Sequence, residues 1–437
     1  MISVTDKQKI NDFKAVFRHI MNKQNDASID KVIEAIFKNV ECIYEEYKDT
    51  IEYVPVEADK YKYHILQPTN GKYSLLDFLL NRILTGIQYV SVTGDNAYMI
   101  SHKILSIKPG RYEQYRGEYP DSFIEKQYLK SKLHESGHTL QTPVFGFEDA
   151  IYTYHKGSNE NDGIHYFDEI LATYNKYLGN KYPTVLKEES VKDVPRKIID
   201  SKNLNNNYNI GHNLNLEEAF TEYYAVKYSD LINDDYYPTR ITNEKYEGED
   251  VPIIFVPNNF NSYSIFSKYI FHFENLTDKA TMFETRFFKT NAMFINFMNK
   301  YQKYVDEFLQ KTKEVKIEIP SNITNNIEKF IFLVGRACAP SAYLHEADKD
   351  YYTAVVTLQM KLDEMFHDIY MDLYTLGKIP DEKMQGIAYF SKYTSISAYN
   401  EQEGLKTTKI VEDYKKIEEE TTKRLNAKKT NTNFNTK

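Results

Sequence analysis

The segment SKLHESGHTLQT, residues 131–142, sets His134, Glu135 and His138 in the order H-E-x-x-H. This spacing constrains the fold more than any other feature of the chain. On an α-helix, side chains at i and i+4 stand about one turn apart and point the same way, so two imidazoles can reach one cation. The local sequence supports a helix. Pro120 interrupts the chain upstream, and Ser122 with Glu125 has the S-x-x-E form of a capping box, which predicts a helix over about 122–140. Leu129, Leu133 and Gly137 form one strip of that helix facing a core, and His134 and His138 form a second strip one step round. Gly in a helix interior costs about 1 kcal/mol relative to Ala. A close neighbour packed against Gly137, a second helix or a strand, would explain its presence.

Two imidazoles do not complete a zinc site, so a third ligand must come from elsewhere. The extension H-E-x-x-H-x-x-G-x-x-H needs Gly at 141 and His at 144, and the chain has Gln141 and Val144. A Glu on a later helix is the other common solution, and two segments compete for it. FDEILATYNKYL offers Glu169, which has Thr173 four residues on. NLEEAFTEYYAVKY offers Glu218, which has Glu222 at i+4 on the same helix face. One carboxylate of such a pair can bind the metal while the other accepts the remaining ring N–H of a ligand histidine and fixes its tautomer. Glu218 is therefore the expected ligand, Glu222 its supporting acid and Glu169 the alternative ligand. Asn215 is the expected N-cap of this second helix. Glu135 follows His134 directly and lies near the metal but not on it. There it can take a proton from a metal-activated water and later deliver it to a leaving amine.

The two motifs, H-E-S-G-H over 134–138 and L-E-E-A-F-T-E-Y over 216–223, together resemble the gluzincin zinc metallopeptidases, the thermolysin- and aminopeptidase-like group. The resemblance covers these two short segments. It implies Zn2+ bound by His134, His138 and Glu218, with Glu135 as general base and acid and Glu222 behind a ligand histidine. It also implies a zincin-like catalytic domain, whose cleft lies between a mixed sheet with the motif helix and a helical lower half. The chain departs from the family pattern in two places. The gap between His138 and Glu218, 79 residues, is longer than in many relatives, and Glu217 stands where Asn is common. Such reactions use an oxyanion stabiliser opposite the metal, usually Tyr or His. Tyr223 and His212 are candidates by type, as are Tyr224, His345 and His367, although a structural role is the plainer reading of each.

Beyond the motifs the chain reads as α+β and predominantly helical. Phe13, Val16, Phe17 and Ile20, then Ile33, Ile36, Phe37 and Val40, repeat at helical spacing within 5–50. Residues 51–68 and 97–108 alternate like strands, with a buried helix over 73–87 between them. A short helix is expected at 168–178, loops at 155–167 and 201–215, and a turn-rich stretch with strand character at 231–262. Residues 276–376 read as mostly helical with a break at 317–322. These signals divide the chain into an N-terminal helical/α+β region (1–95), a zincin-like catalytic core (96–235), a mostly helical C-terminal region (236–405), and a charged helix with a disordered tail (406–437).

Composition narrows the partners. The formal net charge of -8 argues against a generic nucleic-acid binder, which would show a strong basic excess. No apolar run is long enough to span a membrane, and the charged N-terminal residues do not form a secretory signal. Cys42 and Cys338 are the only cysteines, so a disulfide framework is absent, with a single bridge between them left open. Cys338, in the apolar stretch FLVGRACAPSAYL, reads as a buried structural thiol. Cytoplasmic or other intracellular localisation is expected, with virion association or unconventional export left open. No phosphate-cradling glycine loop is present, and GSNENDG (157–163) reads as a turn. The expected function is a zinc-dependent peptidase acting on a peptide or protein. The alternative is an inactive structural or interaction protein on a peptidase-like scaffold.

Overall fold

The structure is a computed structural model and describes residues 2–21, 27–58, 65–86, 90–91, 98–99, 103–104, 116–141, 171–185, 212–231, 241–246, 249–254, 264–338 and 349–378. The chain divides into two compact units: Met1–Asp234 with Thr277–Met293, and Asp235–Leu276 with Phe294–Lys437. Residues 1–234 thus fall within one unit, to which a distant segment returns.

In the first unit, α1 (Val4–Met21) packs on α2 (Ala27–Tyr47). The apolar stripes read from sequence are the contact. Phe13, Val16 and Phe17 on one helix and Ile33, Ile36, Phe37 and Val40 on the other are buried, and Phe17 meets Phe37 edge-on at 5.4 Å. β1 (Tyr53–Pro55) pairs antiparallel with β2 (Lys72–Ser74), which Asn70 and Gly71 introduce in left-handed conformation, the Asn-Gly preference of tight hairpin turns. The buried helix expected at 73–87 is α3 (Leu75–Gly86). β3 (Val90–Ser91), β4 (Tyr98–Met99) and β5 (Lys103–Ile104) form a small antiparallel sheet. The motif helix is α4 (Asp121–Gln141), residues 171–178 are helical, and the second motif lies on α5 (His212–Tyr228).

The expected caps of both motif helices differ from what forms. α4 begins at Asp121, where the N–H groups of Phe123 and Ile124 both donate to the Pro120 carbonyl. Ser122 therefore lies inside the first turn. Glu125 accepts instead from Arg116 at 2.8 Å, and Arg116 also holds Asp121 at 2.8 Å. α5 begins three residues before Asn215, which is buried within the helix and does not cap it.

In the second unit, β6 (Ile241–Tyr246) and β7 (Glu249–Ile254) form an antiparallel hairpin within the stretch read as turn-rich, followed by α6 (Ser264–Leu276). α7 (Lys279–Phe288) belongs to the first unit. α8 (Ala292–Lys311) is kinked at Tyr301 (φ -128°, ψ 31°). The expected break separates it from α9 (Asn326–Ala337), whose N-cap Asn325 accepts from the Glu328 N–H at 2.8 Å. α10 (Lys349–Thr375) packs on α9. Phe273, Phe297, Phe330 and Phe366 form the aromatic centre of this unit, where Phe297 and Phe330 stack at 5.9 Å. The whole is predominantly helical, as expected. Among the described residues no sheet exceeds three strands and all ladders are antiparallel, so the expected mixed sheet is not formed among them. Cys42 and Cys338 are free thiols, and Cys338 is buried. No helix among the described residues is long and apolar enough to cross a membrane. The tail from 406 onward lies outside the described residues.

α4 contacts α2, α3, α5 and α7 and is enclosed over its second half, where Leu133 to His138 are all buried. Asn39 of α2 fixes its height. The Asn39 amide donates to the Leu133 carbonyl at 2.8 Å and to Ser136 Oγ at 2.7 Å, one residue either side of the His134–Glu135 pair. Asn39→Ala strips a buried acceptor of its donor and is expected to lower stability by about 1–3 kcal/mol, read from the shift in urea midpoint at unchanged slope.

Candidate metal centre

α4 and α5 pack directly on each other. Gly137 is what permits their close approach: a Cβ there would stand 3.0 Å from Thr221 Cγ2. The glycine whose helix cost implied a close neighbour is the contact point of the two motif helices. Thr221 cannot swing aside freely, because its hydroxyl donates to the Glu217 carbonyl at 2.8 Å and accepts from Gln141 Nε2 at 2.7 Å. In Gly137→Ala, overpacking costing about 1–3 kcal/mol opposes a helix-propensity gain of about 1 kcal/mol. A net destabilisation of roughly 1 kcal/mol is expected, with relief in Gly137→Ala/Thr221→Ser, which removes the methyl and keeps the hydroxyl. Unfolding measured across that double-mutant cycle checks both statements, and additive effects would contradict them.

His134 and His138 face α5 with ring centroids 5.0 Å apart. Glu218 Oε2 stands 3.3 Å from His134 Nε2 and 3.5 Å from His138 Nε2, and the three ligating atoms lie within 4.8 Å of one another. Bonds of about 2.0–2.1 Å to a tetrahedral ion put ligand atoms roughly 3.3–3.4 Å apart, so the two measured separations fit a zinc-sized ion. All three side chains are buried.

The outer ring nitrogens are held as well. His134 Nδ1 donates to Glu222 Oε2 at 2.8 Å, and Glu222 Oε1 accepts from Lys130 Nζ at 2.8 Å. His138 Nδ1 stands 3.4 Å from Glu217 Oε1 and 3.4 Å from Thr221 Oγ1. Glu217 also accepts from Gln141 Nε2 at 3.0 Å and, through Oε2, from Lys289 Nζ at 2.5 Å. A proton on Nδ1 leaves each Nε2 lone pair aimed at the Glu218 side, the tautomer a metal ligand needs.

The electrostatics favour a cation at this point. Burial opposes charge on the His134 ring, yet Glu218 and Glu222 outweigh it and lift its pKa to about 9. His138 is raised for the same reason by Glu218 and Glu217. Burial would raise Glu218, but His138 and His134 hold it well below the carboxylate range. Glu222 is brought down to about 2 against burial by Lys130 and His134. The four carboxyls of Glu135, Glu217, Glu218 and Glu222 face two directly paired lysines, so positive charge is wanted between the imidazoles. A divalent metal and two ring protons compete for that place.

Glu135 is buried, 9% exposed, and points from the next position round the helix, an i, i+3 neighbour of His138. Burial, with Glu218 and Glu222 nearby, raises its carboxyl above the usual range against the pull of the two histidines. A carboxyl displaced in that direction takes up a proton more readily than a solvated one, as a general base must.

Of the other expected residues, Glu169 and His345 lie outside the described residues. His212 opens α5, with its side chain outside them. Tyr223 is buried about 140° round α5 from Glu218, by the ~100° step of a helix, with its ring 5.0 Å from that of Tyr224. Tyr224 is engaged by Tyr47 Oη at 2.9 Å and lies under the Arg286 guanidinium at 3.6 Å. His367 is half-buried on α10 in the second unit beside Asp368, 3.8 Å away. None of these three tyrosines and histidines whose side chains are described stands among the ligand atoms. Sequence reasoning overlooked Lys130, Gln141, Glu217 and Lys289. Lys130 had a signal, since it lies four residues before His134 on the same strip. Lys289 had none, because nothing local ties residue 289 to residue 217. Comparison of the chain with protein-family models, with curated proteins and with solved structures finds no match.

Proposed function

We propose that the chain is a zinc-dependent peptidase. The observation that carries the reading is the convergence of His134 Nε2, His138 Nε2 and a Glu218 oxygen within 4.8 Å, with Glu135 beside them. Zinc held there would supply Lewis acidity, lowering the pKa of water toward ~7 and polarising a scissile carbonyl. The chain's own groups do the rest. Glu222 and Glu217 keep both rings in the ligating tautomer. Glu135 accepts the proton of the attacking water and returns it to the departing amine, so one carboxyl serves as base and then acid. A site that only stabilised the fold would have no use for a general base at position 135, where Glu135 is buried next to His134.

The test is metal analysis of the purified full chain together with digestion of a broad peptide library. Stoichiometric zinc with cleavage that stops on chelation supports the reading. Zinc without any cleavage would favour the inactive scaffold, and absence of bound divalent metal after zinc loading would end the proposal.

A further inference from the structure

The two ligand histidines are supported by parallel arrangements of different origin. Behind His134 stands Glu222, and behind Glu222 stands Lys130, all supplied by α4 and α5. Behind His138 stands Glu217, and behind Glu217 stands Lys289, which arrives from the segment Thr277–Met293. Lys289 terminates α7 in left-handed conformation (φ 57°, ψ 36°), a position usually given to glycine. A lysine is kept there with its side chain 9% exposed and its ammonium 2.5 Å from a fully buried carboxylate. One turn earlier Arg286 anchors the segment to both motif helices, donating to Gln141 Oε1 at 2.5 Å and covering the Tyr224 ring at 3.6 Å. Gln141 in turn donates to Glu217.

We infer that Lys289 is a positioning residue for the metal centre: by holding Glu217 Oε2 it turns Oε1 toward His138 Nδ1 and so fixes the second imidazole in its ligating orientation. This rests on the zinc reading above. The 3.4 Å contact from His138 to Glu217 is looser than the 2.8 Å contact from His134 to Glu222. His138 is therefore the ligand whose orientation depends most on how its acid is held. Without Lys289 the buried Glu217 carboxylate is left, among the described residues, with Gln141 Nε2 and its 3.4 Å contact to His138, and it is free to rotate away from the ring.

The experiment compares wild type, Lys289→Met, Glu217→Gln and Glu217→Gln/Lys289→Met as full chains. Zinc affinity is measured by competition with a chelating dye, the visible spectrum is recorded with Co2+ as the probe ion, and unfolding is followed separately. Lys289→Met is expected to weaken zinc about 10- to 100-fold and to alter the Co2+ spectrum. The double variant removes both charges together and guards against a single variant that fails to fold. It is expected to regain fold stability relative to Lys289→Met while staying weak for zinc, which a merely structural ion pair would not produce. If wild type binds zinc and the folded double variant binds it as tightly with the same Co2+ spectrum, Lys289 has no positioning role. If wild type itself binds no zinc, the peptidase reading falls and takes this inference with it.

Discussion

Glu135→Gln is expected to retain zinc while hydrolysis falls by about 10²- to 10⁴-fold, the usual contribution of a positioned general acid–base group. Gln fills nearly the same volume, so the enclosed second half of α4 has no reason to repack. The candidate ligand atoms belong to His134, His138 and Glu218, and none is touched by the change. What is lost is the capacity to take up a proton. The wild-type carboxyl is held above its ordinary pKa by burial and by Glu218 and Glu222, whereas an amide does not titrate in this range. The check is turnover of a cleaved peptide at saturating substrate, paired with metal content of the same preparation. Full turnover in the variant would remove Glu135 from the mechanism, and loss of both metal and turnover would recast it as a ligand.

Glu218→Ala is expected to abolish stable zinc binding. Among the described residues Glu218 is the carboxylate standing between the two Nε2 atoms, 3.3 and 3.5 Å away, and two imidazoles alone leave a tetrahedral site half empty. The expected readout is thermodynamic as well as analytical. At free zinc a thousandfold above Kd the wild-type fold gains about 4 kcal/mol by mass action, seen as a rise in Tm. The variant shows no such rise, and its metal content drops to background. Glu169→Ala keeps both signals. The reverse pattern would transfer the third-ligand role to Glu169.

The inner site was legible because its information is local and periodic. His134 and His138 share a strip by helix geometry alone, and Glu218 with Glu222 repeats the i, i+4 rule, so each motif advertises its own face. The stripes of α1 and α2 were legible for the same reason. The caps were misjudged because several residues compete for helix starts: Pro120 took the role given to Ser122, and Asn215 went inside a helix that begins earlier. The support behind the imidazoles was hard to read because its partners are remote. Arg286 and Lys289 lie more than a hundred residues beyond the H-E-x-x-H motif and follow α6, a helix of the other unit. No short-range pattern connects them to Gln141 or Glu217. Gly137 was a partial success, since its cost implied a close neighbour without naming Thr221.

The return of Thr277–Met293 to the first unit governs the order in which a nascent chain can assemble this centre. Synthesis runs from the N-terminus, so the imidazoles emerge first, Glu218 well after them, and Lys289 last. Each closure joins residues some seventy or more positions apart, the kind of long-range contact that slows folding. Until Lys289 has emerged, Glu217 is an acid destined for burial with no ammonium opposite it. On the zinc reading proposed above, the full support of both imidazoles is accordingly completed late in biosynthesis, after much of the second unit's leading strands and α6 has already been made.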